Sequence, residues 1–245
     1  MIRVFYPVPE ERPEKLGIRG ERFHYLARVL RLGAGDSLQV FDGKGRTFAA
    51  QVRSIGTDEL ELELAPARIT AQAPTIVLIQ GLPKGEKLDW ILQKATELGV
   101  ASIAPVAMQH CVAKLRPSQV EHRHQRWQKI AEEAARQCGR ADVPRILPYQ
   151  PLSEAIRHLS PGTRLFVLDE REPSVRLGQG LVSLGDADAP LALIVGPEGG
   201  VHPSELRELL ESGGRSVSLG RRILRTETAS LAALAVVLHV TGDLG

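Results

Sequence analysis

LALIVGPEGG, residues 191–200, is the stretch from which the rest of the chain can be read. The apolar run Leu191–Val195 is too short for a buried helix and lacks the alternation of a half-exposed strand. It reads as a strand covered on both faces. The run ends in Gly196-Pro197-Glu198-Gly199-Gly200, and Pro203 suits the first position of a helix. Strand, glycine-rich turn and helix form the repeating unit of a parallel α/β sheet, in which ligands gather at the carboxyl ends of the strands. The glycines let a ligand approach the backbone closely. Glu198 at the centre of the turn disfavours phosphate, and the turn matches neither GxxxxGK(S/T) nor GxGxxG. A neutral or cationic ligand fits better, and a nicotinamide-dependent oxidoreductase is set aside.

Outward from this turn the same alternation extends back to Thr75. Apolar runs at Thr75–Gln80, Ile103–Ala107, Arg164–Asp169 and Ser216–Leu219 alternate with helices predicted near Glu86–Leu98, Ser118–Cys138, after Pro203 and at Glu227–Val240. In the first of these helices Leu88, Ile91, Leu92, Ala95 and Leu98 form one apolar stripe. Lys87, Trp90, Lys94 and Glu97 fall on the other side, and Gly99 caps the end. Trp90, away from the stripe, is either a domain or subunit contact or a half-exposed surface residue. The last helix (Leu231, Leu234, Val236, Val237, Leu238, Val240) has almost no polar face before His239. Part of its burial is expected from a second subunit.

Residues 1–70 follow a different period. Arg3–Tyr6, Ser37–Phe41, Thr47–Ile55 and Leu60–Leu64 read as short strands, broken by turns at Asp42-Gly43 and Gly56-Thr57-Asp58. One helix is predicted at Arg22–Leu32, ended by Gly33 and Gly35. Strands at this spacing suggest a small antiparallel barrel, and Ala65–Pro74 has the composition of a boundary.

The chain has 245 residues, of which 43% are hydrophobic and 24% charged, ordinary values for a globular protein. That excludes disorder, collagen and coiled coil. No apolar run approaches the roughly 18 residues of a membrane span, and the start lacks the apolar region of a secretory signal. With Cys111 and Cys138 far apart, a cytoplasmic protein with reduced thiols is expected. His122 and His124 cannot share a helix face, and no cluster has metal-ligand spacing, so no metal is expected.

The net charge is only +2, but it is unevenly placed. Arg12, Lys15, Arg19, Arg22, Arg28 and Arg31 cluster early; Lys114, Arg116, Arg123, Arg126, Lys129, Arg136, Arg140 and Arg145 form a second group; Arg221, Arg222 and Arg225 form a third. Any single cluster could be a solvated face. Three beside predicted ligand loops favour a polyanionic partner. Aromatic residues are 4%, which argues against base-stacking platforms.

Ser216–Ser230, SVSLGRRILRTETAS, is the second loop with chemistry. Thr226 can cap the last helix, with Glu227 in its first turn. Ile223 and Leu224 are apolar residues in an arginine-rich loop, as expected of a pocket lining. Arg225 and Glu227 could simply pair with each other, which contributes little at a surface.

GPEGG followed by LGRRILRTETA resembles the paired signature of the SPOUT (trefoil-knot) RNA methyltransferases. Within them it is similar to the RsmE family, which methylates N3 of a uridine in small-subunit ribosomal RNA. GLPKGEKLDWILQKATELGV (81–100), WQKIAEEAARQCGR (127–140) and VFDGKG (40–45) extend the similarity over essentially the whole chain. The resemblance implies a PUA-like β-barrel over residues 1–70 that binds RNA. It implies a knotted parallel-sheet α/β domain over residues 74–245 that binds S-adenosyl-L-methionine without metal, and a homodimer. Matched to this chain, the cofactor is held by Leu168, by Val195, Gly196, Pro197, Glu198, Gly199 and Gly200, and by Leu219, Gly220, Ile223, Leu224 and Thr226. Arg225 is expected to stabilise charge on the uracil, with Glu198 or Glu227 as proton acceptor. Arg22, Arg28, Arg31 and Lys84 are candidate RNA contacts, whereas Arg221 and Arg222 are given no essential role. The alternatives are a SPOUT enzyme acting on another RNA, such as a transfer RNA ribose 2′-O methyltransferase, and a non-catalytic RNA-binding assembly factor.

Overall fold

The computed structural model describes residues 1–9, 13–70, 75–171, 174–182 and 189–245; Arg12 and the end of the Ala65–Pro74 stretch lie outside them. Contacts divide the chain into two units. The first is Met1–Gln72 with Ala135–Val143, and the second is Ala73–Ala134 with Pro144–Gly245.

The first unit is built on β1 (Ile2–Phe5), β2 (Lys15–Arg19), β3 (Ser37–Phe41), β4 (Arg46–Ile55), β5 (Glu59–Leu64) and β6 (Arg68–Ile69). The strand order is β1-β3-β4-β5-β2, with β6 beside β4. All pairs are antiparallel except β1 with β3. The alternation in LELEL has its expected consequence. Leu60, Leu62 and Leu64 enter the core with Ile18, Leu38, Val40 and Phe48. Glu59, Glu61 and Glu63 face outward to Arg19, Lys15 and Arg53. β2, which no sequence signal marked, supplies Leu16 and Ile18 to that core.

The predicted helix at Arg22–Leu32 lies two residues earlier and ends sooner. It starts as α1 (Gly20–His24) and continues as a π-turn over Tyr25–Val29. Arg31, not Gly33, takes the left-handed conformation after it, with φ 55°. The wider turn lets both Phe23 and Leu26 reach the core. From residues 135–143, the carbonyls of Arg136 and Arg140 accept hydrogen bonds from the Arg3 guanidinium.

The second unit holds β7 (Ile76–Gly81), β8 (Ser102–Ala107), β9 (Arg145–Ile146), β10 (Gln150–Pro151), β11 (Arg164–Leu168), β12 (Leu191–Val195) and β13 (Arg215–Val217). They form one parallel sheet of order β10-β8-β7-β12-β11-β13, with β9 beside β8. Every residue of β7 and β12 is buried, which is why both read as unbroken apolar runs. The helices are α2 (Lys87–Leu98), α3 (Pro117–Cys138), α4 (Leu152–Arg157), α5 (Leu177–Val182), α6 (Pro203–Glu211) and α7 (Thr226–Thr241). α2 buries Leu88, Ile91, Leu92 and Ala95 of the predicted stripe, leaves Leu98 half-buried, and ends at Gly99, whose φ is +102°. Pro203 is the first residue of α6, behind a capping box made by His202 and Glu205. α7 packs on α2, α5 and β12.

One expectation for α7 is corrected. Thr226 does not cap it: Arg225 occupies the cap position without a capping side chain, and Thr226 is the first helical residue. Within this chain α7 is covered only in part, where the sequence reading expects a second subunit to complete its burial. Leu231, Ala232, Ala235 and Val236 are partly exposed and Val240 is exposed, as is Trp90 on α2. Among the described residues, no helix is long and apolar enough to cross a membrane.

Candidate active site

The carboxyl ends of β11, β12 and β13 surround a cleft of about 330 Å³. Its walls come from three loops, Leu168–Glu170, Val195–Glu198 with Gly200, and Val217–Gly220 with Arg222–Thr226, to which Ala229 and Lys87 of α2 add. The first loop follows a parallel strand; the second turns on itself. Gly200 N–H donates to the Pro197 carbonyl at 2.9 Å, closing a tight turn with Glu198 and Gly199 at its centre. Gly196 is required by contact: a Cβ there would stand 2.6 Å from the carbonyl carbon of Gly200 and 2.9 Å from Val201 N. Gly200 has φ +69° and Gly220 φ +121°, so both sit where side chains are strained.

Beneath the cleft lies a buried polar network. Gln80, fully buried at the end of β7, donates from Nε2 to the Gly81 carbonyl (2.9 Å) and to Thr226 Oγ1 (3.0 Å). The Thr226 hydroxyl in turn donates to the Gly196 carbonyl at 2.6 Å. Ser230 Oγ stands 2.5 Å from Gln80 Oε1 and 2.9 Å from the Thr226 carbonyl, and its single proton serves one of them at a time. The network fixes the start of α7 against the first peptide of the GPEGG turn. It also spends the Thr226 hydroxyl, so Thr226 lines the cleft without presenting that hydroxyl as a free donor. Ser230→Ala leaves Gln80 Oε1 buried without a donor and should cost about 1–3 kcal/mol. Thermal unfolding should show this as a melting temperature lower by roughly 2–10 °C in a chain of this size.

Most charges around the cleft are paired. Asp169 is buried and accepts three hydrogen bonds from Arg171, from its amide (3.0 Å), its Nε (2.8 Å) and its Nη2 (3.2 Å). Glu198 Oε1 accepts from Lys87 Nζ at 2.7 Å and from the Lys84 amide at 3.1 Å. Burial acts to raise the pKa of Glu198, but the hydrogen bonds from Lys87 and the backbone outweigh it and hold the carboxylate below its usual range. This pairing is present at neutral pH and is lost as pH falls through that lowered value. Glu227 does not pair with Arg225; its Oε2 lies 3.7 Å from Lys87 Nζ. Among the described residues the exposed Arg225 guanidinium has no hydrogen-bond or ion-pair partner, and it lines the cleft.

The structure therefore brings together Leu168, Val195, Gly196, Pro197, Glu198, Gly200, Leu219, Gly220, Ile223, Leu224, Arg225 and Thr226. Gly199 is not among them. It packs against His110 and opens onto a smaller hollow behind the turn. Glu227 is also outside the lining, turned toward Lys87. Lys84 is exposed and reaches the site only through its amide. Arg22, Arg28 and Arg31 stand on the helix and turn of the first unit, the last two exposed. Of the second basic cluster, Arg126 is spent on Asp89 and Arg140 on Asp142. Sequence reasoning missed Lys87, Asp169, Glu170, Val217, Ser218, Arg222 and Ala229 in the lining. Asp169 and Glu170 were within reach, since they directly follow β11. Lys87 was placed on the outer helix face and had no signal tying it to Glu198. No group of His, Cys, Asp and Glu able to hold a metal occurs among the described residues.

Chemically, the cleft offers backbone groups at close range, apolar walls from Leu168, Val195, Leu219 and Leu224, and carboxylates on one side. That suits a flat, largely apolar ring joined to a cation. Two guanidinia of the lining, Arg222 and Arg225, can meet negative charge on a second molecule.

Comparison with known proteins agrees with this arrangement. Residues 71–238 match the model of an RNA methyltransferase domain, and residues 18–65 that of an RNA methyltransferase PUA domain. The chain is 33% identical to the ribosomal RNA small subunit methyltransferase E of Bacillus subtilis, over 98% of this chain and 97% of that one. Its fold is similar to the crystal structure of the enzyme of the same name from Neisseria gonorrhoeae bound to S-adenosyl methionine. That pair has a TM-score of 0.85 and 29% identity over 98% and 97% of the chains. A Legionella pneumophila methyltransferase in complex with the same cofactor gives 0.82 and 29%, over 97% of both chains.

Proposed function

Because the chain belongs to the RNA methyltransferase family that includes ribosomal RNA small subunit methyltransferase E, we propose that it methylates N3 of a uridine in small-subunit ribosomal RNA, using S-adenosyl-L-methionine. The observation that carries this reading is the cleft itself: three loops that give a ligand backbone and apolar contacts, with the unpartnered Arg225 at the rim. The residues present fit the cofactor. Gly196 and Gly200 leave room where any side chain would collide or strain, Ile223 and Leu224 offer apolar faces to a ring, and Glu170 lines the cleft as a carboxylate that can face positive charge. No phosphate has to be accommodated. When bound, the cofactor supplies a methyl group already activated on a sulfonium, so the chain's task is positioning.

Uridine N3 carries a proton that must leave, and the resulting negative charge spreads toward O2 and O4. Arg225 is placed to stabilise it. Of the two candidate acceptors, Glu198 lines the cleft and Glu227 does not, so Glu198 is the acceptor in this proposal. The first unit, with Arg22, Arg28 and Arg31, and Lys84 of the second would hold the RNA backbone, making binding weaken with salt. The trefoil knot belongs to the same proposal. It is supported by the return of the chain from β13, at the sheet edge, to Gly196 beside the central β12, where Thr226 is bonded. The cytoplasm, where ribosomes assemble, is the proposed compartment.

A homodimer is also proposed, with α7 at its interface, on the strength of the partly exposed Leu231, Ala232, Ala235 and Val236 on a helix without a polar face. Val236→Asp should convert the dimer to monomer in sedimentation. A monomeric parent protein would refute the interface.

The function is tested by methyl transfer from labelled S-adenosylmethionine to naked small-subunit rRNA, to assembled small subunits lacking the modification, and to bulk transfer RNA. Mass spectrometry of the digested nucleosides identifies the product. N3-methyluridine from the ribosomal substrates alone is expected. A ribose methyl in transfer RNA would overturn the substrate, and failure to bind the cofactor would overturn the enzyme.

A further inference from the structure

At the rim of the cleft two carboxylates share one ammonium. Lys87 Nζ stands 2.7 Å from Glu198 Oε1 and 3.7 Å from Glu227 Oε2. The first distance is a hydrogen bond; the second is an ion pair just beyond hydrogen-bond reach. Glu227 Oε2 is buried and has no hydrogen-bond partner. A buried carboxylate oxygen without a donor is costly, and such atoms are rare in folded proteins. A movement of about an ångström by the lysine head would satisfy it. The lysine stem is flexible and its head is a compact charge, so such a movement breaks no packing. Glu227 also lies in the first turn of α7, where the helix amides favour negative charge. Glu227 is thus a ready second seat for the same ammonium.

The resting seat has a chemical consequence. While Lys87 donates to Glu198, the carboxylate is held ionised and is a weak proton acceptor. Lys87 also faces Arg225, another cation at the rim, and it lines the cleft that a positively charged ligand would enter. Added positive charge there works against the lysine's present position.

We propose that Lys87 is a two-seat ammonium: it rests on Glu198 and passes to Glu227 when a cation occupies the cleft, leaving Glu198 free to take the uridine proton. This rests on the reading of Glu198 as proton acceptor. In the step itself the N3–H bond breaks and its proton goes to Glu198. The electron pair left on N3 forms the new bond to the methyl carbon, and the methyl–sulfur bond pair stays on sulfur, cancelling the sulfonium charge. With that charge gone, Lys87 returns to Glu198 and favours its ionised form, so the proton is released to water. Lys87 and Glu227 are then positioning residues, acting through Glu198.

The test compares the full-length protein with Glu227→Gln, Lys87→Met and the double variant, using assembled small subunits that lack the modification. Glu227→Gln should lower kcat about tenfold, the equivalent of one pKa unit at Glu198, and should weaken cofactor binding measured by calorimetry, because a ligand that drives the lysine across binds less well where the second seat is missing. The same substitution should have no effect in the Lys87→Met background, where no ammonium remains to be reseated. Lys87→Met should move the acid limb of the pH–kcat profile to higher pH. Independently of turnover, the NMR signal of the Lys87 ammonium should shift on addition of S-adenosylmethionine to the parent protein and stay fixed in Glu227→Gln. A Glu227→Gln enzyme with parental kcat, an equal loss in the Lys87→Met background, or a lysine signal unmoved by cofactor would each overturn the proposal. Parental turnover in Glu198→Gln would sink Glu198 as acceptor instead, and the lysine signal would still decide the two seats.

Discussion

Arg225→Ala should lower turnover by about 10²–10³-fold, the loss typical of removing one preorganised donor to a developing negative charge, while cofactor affinity stays within a few-fold of the parent. The expectation follows from where the guanidinium stands. It lies at the cap position of α7, fixed by the helix start, and it lines the cleft without a partner of its own among the described residues. Removing it leaves no buried carboxylate unpaired, since Glu227 and Glu198 both face Lys87. Stability should therefore change little, and a melting curve superimposable on the parent's separates loss of chemistry from loss of fold. Arg225→Lys keeps the charge but not the planar fork, and should fall between the two. Turnover within threefold of the parent for Arg225→Ala would remove this residue from the reaction.

Gly196→Ala should act on the other half of the site. The new methyl would stand 2.6 Å from the Gly200 carbonyl carbon, 2.9 Å from Val201 N and 3.0 Å from Gly200 Cα. All three are backbone atoms, so no side chain can swing aside, and the turn itself must open. Opening it moves the Gly196 carbonyl away from the Thr226 hydroxyl that fixes it at 2.6 Å. The cleft wall and the start of α7 shift together. Overpacking of this kind costs about 1–3 kcal/mol of stability. Cofactor affinity should fall by about 10²-fold or more, close to 2.7 kcal/mol. Calorimetric titration of the folded variant reads this directly. An unchanged dissociation constant would mean that the turn does not contact the cofactor. The two substitutions thus make opposite patterns: Arg225→Ala spares binding and loses turnover, and Gly196→Ala loses binding first.

Much of this was legible in the residues. LALIV and IVLI read as doubly covered strands because they are apolar without interruption, and the sheet buries both completely. LELEL showed its inward and outward faces by alternation alone. The two loops richest in chemistry, GPEGG and LGRRILRTETA, stand side by side in the cleft, although nothing in their separation along the chain required it. Periodicity failed where the chain departs from regular geometry. The π-turn at Tyr25–Val29 shifts the end of its helix, and β2, at the sheet edge, carried no turn signal to announce it. Thr226 has the chemistry of a helix cap, yet its hydroxyl is claimed by Gly196 from a distant loop, and tertiary hydrogen bonds overrode the local preference.

By itself, then, the sequence determined the longer strands of both units, though not β2, β6, β9 or β10, where the apolar faces of the helices lie, and which loops have the glycines and arginines for a ligand site. Those properties depend on spacing and composition over a few neighbouring residues. Only the tertiary structure decided that Glu198 faces Lys87, that Glu227 turns away from Arg225, that Gly199 packs behind the turn, and that Gln80, Thr226 and Ser230 close one network beneath it. Each of these joins residues far apart in the chain or chooses among partners of equal chemistry. Such choices depend on distances of a few tenths of an ångström, which the strand order of the sheet sets and no local pattern carries.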